Sequence, residues 1–131
     1  FRGRLAEDFK LTSGTFVHVG PLRARFLEHF APLARDVVIT GEGRGEIGAL
    51  VFLSQQTGRD ELERRLADLA RSSTGLSNRI SRAMVLEEPP SLDAGEMTDK
   101  GSLNQRAVLA RRAALVEELY RDPPSARTIC V

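Results

Sequence analysis

Glu46-Ile-Gly-Ala-Leu-Val-Phe-Leu53 is the stretch that decides the fold, because its almost wholly apolar run predicts a buried β-strand. Asp36-Val-Val-Ile-Thr40 has the same character and predicts a second strand. Gly41-Glu-Gly-Arg-Gly45 lies between them and carries three glycines. A phosphate-binding loop is one interpretation of such glycines, but the Walker pattern is absent and no helix start follows. We therefore predict a hairpin turn.

Upstream of these strands, Phe9 to Val19 has short β-favouring runs on either side of Ser13-Gly14 and predicts a small hairpin. Gly20-Pro21 then opens a helix, since proline suits a first helical turn, and the helix is predicted to end near Phe30. Its apolar residues recur at helical spacing and predict a core-facing side. They are Leu22, Phe26, Leu27, Phe30 and Leu33.

Downstream, Asp60 to Ala70 predicts a second amphipathic helix and Leu76 to Arg82 a short helical piece. Ala83 to Glu87 predicts a third core strand, and Ser102 to Tyr120 predicts the last helix. This order of elements predicts an α+β domain with a small mixed β-sheet, an N-terminal β-hairpin and about three packed helices. Such a fold does not by itself indicate a function.

Composition limits the classes of protein that fit. The chain has 131 residues, 41% apolar and 28% charged, with a formal net charge of +1. A balanced charge argues against a nucleic-acid partner, and no apolar run reaches the length of a membrane span. Cys130 is the single cysteine, and His18 and His29 have no third ligand nearby, so no disulfide or metal site is predicted. A reducing cytoplasm is the expected compartment.

The lysines are the strongest candidates for chemistry. The chain has two lysines and seventeen arginines, so a lysine indicates a need for a compact ammonium. Lys100 lies in Thr98-Asp-Lys-Gly-Ser-Leu-Asn-Gln-Arg106, just before the last predicted helix, where free backbone amides and an ammonium are typical of an anion site. The alternative is a solvated loop lysine. Lys10 lies in the first strand of the N-terminal hairpin, where a solvent-facing strand residue is the alternative.

Two motifs resemble those of adenylate-forming enzymes, the superfamily of acyl-CoA synthetases, peptide-synthetase adenylation domains and luciferases. Gly3-Arg4, Lys10 and Gly14 resemble the junction motif that begins their C-terminal subdomain. Residues 98–106 resemble the motif that closes it, in a variant with Lys100 before a glycine. The resemblance is strongest to feruloyl-CoA synthases and related aryl acid-CoA ligases. The stretches that carry it are Gly3 to Leu11, Gly14 to Val17, Val19 to Leu22 and Asp99 to Leu109.

This resemblance implies a domain organisation and a reaction. Residues 1–8 would be a hinge or linker from a missing N-terminal adenylation domain, and residues 9–131 a mobile C-terminal subdomain. The enzyme would activate an aromatic or other carboxylic acid with Mg²⁺ and ATP, then form a thioester with coenzyme A. The N-terminal domain would bind most of these molecules, so the isolated chain is expected to be inactive.

The resemblance also implies residue roles. Lys100 would support adenylation, Arg4 would bind the ribose, and Lys10 would act with Ser13 and Gly14 on the coenzyme A side after the domain rotates.

The hinge is less closely matched. The position usually held by an acidic or basic hinge residue is Ala6 in this chain, so the hinge role passes to Glu7 or Asp8.

Two alternatives remain open. The acyl group could pass to a carrier-protein phosphopantetheine, as in carboxylic acid reductases or peptide synthetases. The chain could instead be a non-enzymatic module whose arginines bind an anionic partner.

Overall fold

The computed structural model describes residues 8–75, 77–98 and 103–131. These ranges form six strands and four helices, which confirms the predicted α+β class. In chain order they are β1 Phe9–Lys10, β2 Phe16–Val17, α1 Val19–Phe30, β3 Ala34–Thr40, β4 Ile47–Leu53, α2 Arg59–Arg71, β5 Ile80–Leu86, α3 Gln105–Arg111, α4 Ala113–Leu119 and β6 Thr128–Cys130. None of these helices is long and apolar enough to cross a membrane.

The main sheet has four strands in the order β3-β4-β5-β6. β3 and β4 form the predicted antiparallel hairpin, with Val37 opposite Val51. β4 and β5 are parallel, as expected when a helix connects two strands, and β5 and β6 are antiparallel. The sheet is therefore mixed, as predicted. The N-terminal hairpin of β1 and β2 is a separate two-stranded sheet.

Helices cover both faces of the main sheet, which explains why β4 is apolar throughout. Ile47, Ala49 and Val51 pack on the side of α1, α2 and the N-terminal hairpin. Leu50 and Phe52 pack on the side of α3 and α4. The sheet thus forms the middle of three layers, with an apolar core on each side.

Gly48 allows the end of α4 to lie close to the sheet. A Cβ atom at this position would lie 2.7 Å from the Thr40 hydroxyl and 2.8 Å from a methyl group of Leu119. The Tyr120 hydroxyl donates a hydrogen bond to the Glu46 carbonyl and lies 2.9 Å from the Thr40 hydroxyl. The glycine is therefore required by packing.

Residues 80–86 correct the predicted helical piece from Leu76 to Arg82. Ile80 already belongs to β5 and lies opposite Ile47. Arg82, at the end of that predicted piece, is a strand residue that donates to the Leu119 carbonyl. Its guanidinium thus satisfies an acceptor at the end of α4.

The predicted helix from Ser102 to Tyr120 is also corrected. The described helix α3 begins at Gln105, and a break at Arg112 separates it from α4. The strand β6 was not predicted. It is only three residues long, and it forms because β5 has an open edge on which Ile129 pairs with Ala83.

Candidate functional site

The N-terminal hairpin presents Lys10, Ser13 and Gly14 together. Lys10 is exposed and lies opposite Phe16 in the two-strand ladder. Gly14 has a φ of +89°, a conformation that favours glycine, and no atom would crowd a Cβ there. The Ser13 hydroxyl lies 2.8 Å from that of Thr15. The predicted hairpin with its turn at Gly14 is confirmed, while the roles of its residues stay predictions.

The base of this hairpin is fixed to the body of the domain. Phe9, Leu11 and Val17 are buried in the core on the α1 and α2 side. The Thr12 amide donates to the Arg44 carbonyl at 2.8 Å, which ties the hairpin to the glycine-rich turn between β3 and β4. The hairpin is therefore attached to the domain by buried side chains in its strands and by a backbone hydrogen bond beside its turn.

Asp8 caps α1 from outside the helix. Its carboxylate accepts a 2.9 Å hydrogen bond from the Val19 amide and lies 3.2 Å from the His18 ring. The capping residue His18 makes no side-chain cap of its own, so Asp8 supplies the acceptor that this helix start lacks. The Asp8 side chain is 7% exposed, so it belongs to the body of the domain.

The adenylation-lysine candidate lies outside the described residues, as do Arg4, Ala6 and Glu7. The structure does describe both flanks of Lys100. Met97 and Leu103 form an isolated antiparallel bridge. The Asn104 amide donates to the Glu96 carbonyl at 2.7 Å. The residues on either side of residues 98–102, here called the lysine segment, are thus bound to each other.

A buried ion pair holds these flanks to the domain. The Arg112 guanidinium donates two hydrogen bonds to the Glu96 carboxylate, at 2.8 and 3.0 Å. The Glu96 side chain is 0% exposed and that of Arg112 is 5% exposed. Arg111 and the Ser91 amide also donate to Glu96. These partners, above all Arg112, hold the pKa of Glu96 below its ordinary value, so the carboxylate is charged near neutral pH.

Two residues of the motif around Lys100 have structural roles at the start of α3. The Asn104 side chain accepts from the Ala107 amide and caps the helix. The buried Gln105 side chain accepts a 2.9 Å hydrogen bond from the Ile39 amide in β3. Because Asn104 already engages one of the first amides, the expected anion site at this helix start has fewer free donors than the sequence indicated.

Described residues from the regions of both motifs are neighbours at one groove. Asp8 and Phe9 line the same surface groove as Gln105 and Arg106. Asp8 is the last of the hinge candidates, and Gln105 and Arg106 are the last two residues of the motif around Lys100. Residues 8–9 and 105–106 are therefore close in space, although more than ninety residues separate them in sequence.

A family model described as "AMP-binding enzyme C-terminal domain" matches residues 9–123. The chain belongs to this family. No curated protein matches the chain. The predicted relationship to the C-terminal domain of AMP-binding, adenylate-forming enzymes is thus confirmed.

Solved structures share the fold of this AMP-binding C-terminal domain. The A domain of carboxylic acid reductase from Segniliparus rugosus, in complex with AMP and a co-purified carboxylic acid, is 23% identical with a TM-score of 0.71 over 89% of this chain and 20% of that one. An anthranilate CoA ligase in complex with anthranoyl-AMP is 16% identical with a TM-score of 0.60 over 85% of this chain and 20% of its own. This chain therefore spans about a fifth of their length.

Sequence reasoning missed the Glu96 and Arg112 pair. Glu96 lies in a polar loop with no pattern to distinguish it. Arg112 did carry a signal, because it occupies the helical spacing of Val108, Val116 and Leu119 along an apolar stripe. A charged residue at a core position of an amphipathic helix predicts a buried ion pair, and here it also marks the break between α3 and α4.

Proposed function

We propose that this chain is the C-terminal domain of an ATP-dependent aryl, feruloyl-like carboxylic acid-CoA ligase that forms AMP. The observation that carries the proposal is the family match over residues 9–123, which includes both lysines. In this proposal residues 1–8 are the hinge or linker from an N-terminal adenylation domain, and residues 9–131 are the subdomain that moves. The partner is thus the enzyme's own N-terminal domain.

The proposed reaction has two steps. A carboxylate oxygen of the acid attacks the α-phosphorus of Mg²⁺-bound ATP, and the bond to pyrophosphate breaks to give an acyl-adenylate. The coenzyme A thiol then gives up its proton and attacks the acyl carbon, and AMP leaves. The acid, the nucleotide with its Mg²⁺ and most of coenzyme A are proposed to bind the N-terminal domain.

Lys100 is proposed to stabilise the first transition state. Negative charge gathers between the carboxylate and the α-phosphate as pyrophosphate leaves, and a preorganised ammonium lowers the energy of that charge. Preorganisation requires that the lysine segment be held at its ends. The bridge between Met97 and Leu103 and the bond between Asn104 and Glu96 support this requirement.

Lys10 is proposed to act in the second step. It is exposed on a hairpin whose base is fixed by Phe9 and by the bond between Thr12 and Arg44. An exposed ammonium on a rigid support suits contact with an anionic group on another domain or on coenzyme A. Ser13 and Gly14 are proposed to form the tip of the same contact.

Arg4 and the hinge complete the proposal. Arg4 is proposed to bind the ribose hydroxyls, as the junction motif implies. We place the hinge at Ala6, Glu7 and Asp8. Because the Asp8 side chain is bound to Val19 and His18, Asp8 forms the end of the hinge that moves with the domain. Rotation about a short hinge of this kind exchanges one side of a domain for another at a shared site.

A carrier-protein phosphopantetheine is the second candidate acceptor. The A domain and the A-PCP didomain of carboxylic acid reductase match this chain with TM-scores of 0.71 and 0.69. Both candidates use the same first step and differ in the thiol that accepts the acyl group. Supplying the adenylated full-length enzyme with coenzyme A or with a phosphopantetheine-loaded carrier protein distinguishes them by the thioester that forms.

The half-reactions of the full-length enzyme test the two lysines. We expect Lys100→Ala to lower acyl-adenylate formation by about 10²- to 10³-fold, the usual cost of removing one transition-state charge, while thioester formation from a supplied adenylate survives. Lys10→Ala should lower thioester formation more than it lowers acyl-adenylate formation. Arg79→Ala, which removes an exposed cation outside both motifs, is the control and should leave both rates unchanged. Equal losses in both half-reactions for either lysine variant would contradict its assigned role.

A further inference from the structure

We propose that the buried pair of Glu96 and Arg112 is a positioning device for the segment that carries Lys100. The inference rests on the proposed function of that lysine. It assigns to two residues outside the matched motifs the task of fixing where an adenylation lysine can reach. Neither side chain is proposed to touch the nucleotide.

Glu96 binds both ends of the lysine segment to one point. Its backbone precedes Met97, the residue that pairs with Leu103 on the far side of the segment. Its carbonyl accepts from Asn104, which starts the path into α3. A shift of Glu96 would therefore move the entrance and the exit of the segment together.

Arg112 fixes Glu96 to the body of the domain from three directions. Its Nε and Nη2 atoms donate to the Glu96 carboxylate, which sets the orientation of that side chain. Its Nη1 atom donates to the Glu88 carbonyl and its Nη2 atom to the Pro89 carbonyl, both at 2.9 Å, just after β5. Its guanidinium also lies 5.3 Å from the centre of the Phe52 ring in β4. The pair thus joins the lysine segment, the break between α3 and α4, and the sheet.

The burial of this pair supports a role in positioning the lysine segment. Removing two charges from water is costly, and apolar residues of similar volume often hold elements together as well or better. Within the described residues, the next most protected arginine-carboxylate pair, Arg23 with Asp36, has side chains 18% and 20% exposed. A two-bond contact between planar groups specifies direction, which apolar packing does not. Direction is what a catalytic lysine between these flanks requires.

The effect on the reaction follows from geometry. A misplacement of about 1 Å in a catalytic group can lower a rate by as much as 10²-fold. Loosening Glu96 should lower the rate of acyl-adenylate formation only, since that step uses Lys100. Lys10 lies on a hairpin that is fixed by other contacts. A general structural defect would instead lower both half-reactions.

A double-mutant cycle in the full-length enzyme tests the inference. Glu96→Gln keeps the volume of the side chain and removes its charge. We expect it to lower acyl-adenylate formation by about 10- to 10²-fold, to spare thioester formation from supplied adenylate, and to cause no further loss in the Lys100→Ala background. Arg112→Lys keeps the charge and loses the two-bond contact, so we expect the same loss of acyl-adenylate formation with thioester formation spared. This variant replaces Glu96→Gln in the cycle if Glu96→Gln does not fold. Asp36→Asn removes an ion pair on the other face of the sheet and should leave the ratio of the two half-reactions unchanged.

The outcomes separate this inference from the function on which it rests. If Lys100→Ala lowers adenylation but Glu96→Gln gives the same further loss with or without Lys100, the positioning role is overturned and the function of Lys100 stands. The positioning role is likewise overturned if Glu96→Gln lowers both half-reactions equally. If Lys100→Ala leaves adenylation intact, the proposed function fails, and this inference fails with it.

Discussion

The two faces of the central sheet are packed by different means. On one face, α1 and α2 present continuous apolar stripes, with the rings of Phe26 and Phe30 stacked at 4.2 Å and Leu66 fully buried. On the other, the shorter helices α3 and α4 combine apolar residues with buried polar ones. Gln105 bonds to β3, and Arg112 holds Glu96.

This difference separates two kinds of stability. Apolar burial is favourable in almost any direction, so the face with α1 and α2 gains free energy without specifying exact positions. Hydrogen bonds and paired charges require particular distances and angles, so the face with α3 and α4 is specified more precisely. The described residues that flank the segment with Lys100 are attached to this second face.

Removing Arg112 should have the largest effect on folding. Arg112→Ala leaves the Glu96 carboxylate buried without its main partner, which we expect to lower the free energy of unfolding by about 3–5 kcal/mol. Leu66 lies on the face with α1 and α2, here called the apolar face. The cavity left by Leu66→Ala is expected to lower the free energy of unfolding by about 2–5 kcal/mol. Chemical denaturation of both variants measures these values.

A combined apolar replacement sharpens the same comparison. Replacing both members of the pair, as Glu96→Leu with Arg112→Met, should recover most of the stability that Arg112→Ala loses, because no buried charge remains. No such recovery is available to Leu66→Ala. If Arg112→Ala were no more destabilising than Arg127→Ala, whose half-exposed side chain pairs with Glu118, the buried pair would have little structural importance.

Gln105 provides a test, with a smaller expected effect, of the face with α3 and α4, here called the polar face. Gln105→Ala leaves the Ile39 amide without its acceptor, and we expect a loss of about 1–3 kcal/mol. Asn104→Ala, which removes the neighbouring cap of α3, should cost about 1 kcal/mol. Denaturation curves give both values, and amide hydrogen exchange at Ile39 should accelerate only in the Gln105 variant. Unchanged exchange there would show that this bond is not what holds α3 against β3.

Tyr120 offers an effect that is confined to alkaline pH. Burial raises the pKa of its phenol to about 12, against an ordinary value of 10. The folded state therefore keeps the proton where the unfolded state loses it, so this contribution to stability is complete below pH 10 and is lost as the pH rises toward 12. The chain has a single tyrosine, so tyrosinate absorbance reports this residue alone. Titration at the same pH in native and denatured protein would contradict the burial of the phenol.

The apolar face was the more predictable from sequence. Leu62, Leu66 and Leu69 follow helical spacing without interruption, and the apolar runs of β3 and β4 are bounded by glycines and polar residues. Each of these elements is specified by its own local pattern. The core on this side could therefore be read from periodicity.

The polar face was predicted less well because its interactions are not local. Arg112 is sixteen residues from Glu96, and Gln105 is sixty-six residues from Ile39. Nothing near Gln105 in sequence indicates that a strand amide needs its side chain. β6 was missed for the same reason, since only the open edge of β5 makes Ile129 a strand residue. Within the candidate site, the hairpin with Lys10 and Gly14 was predictable, and the support of the lysine segment was not.

The rate of acyl-adenylate formation by the full-length Lys100→Ala enzyme, divided by its rate of thioester formation from supplied adenylate, tests the central claim most directly. The account predicts that this ratio falls by about 10²-fold or more relative to the unmodified enzyme. A ratio equal to that of the unmodified enzyme would contradict the assignment of adenylation to this lysine.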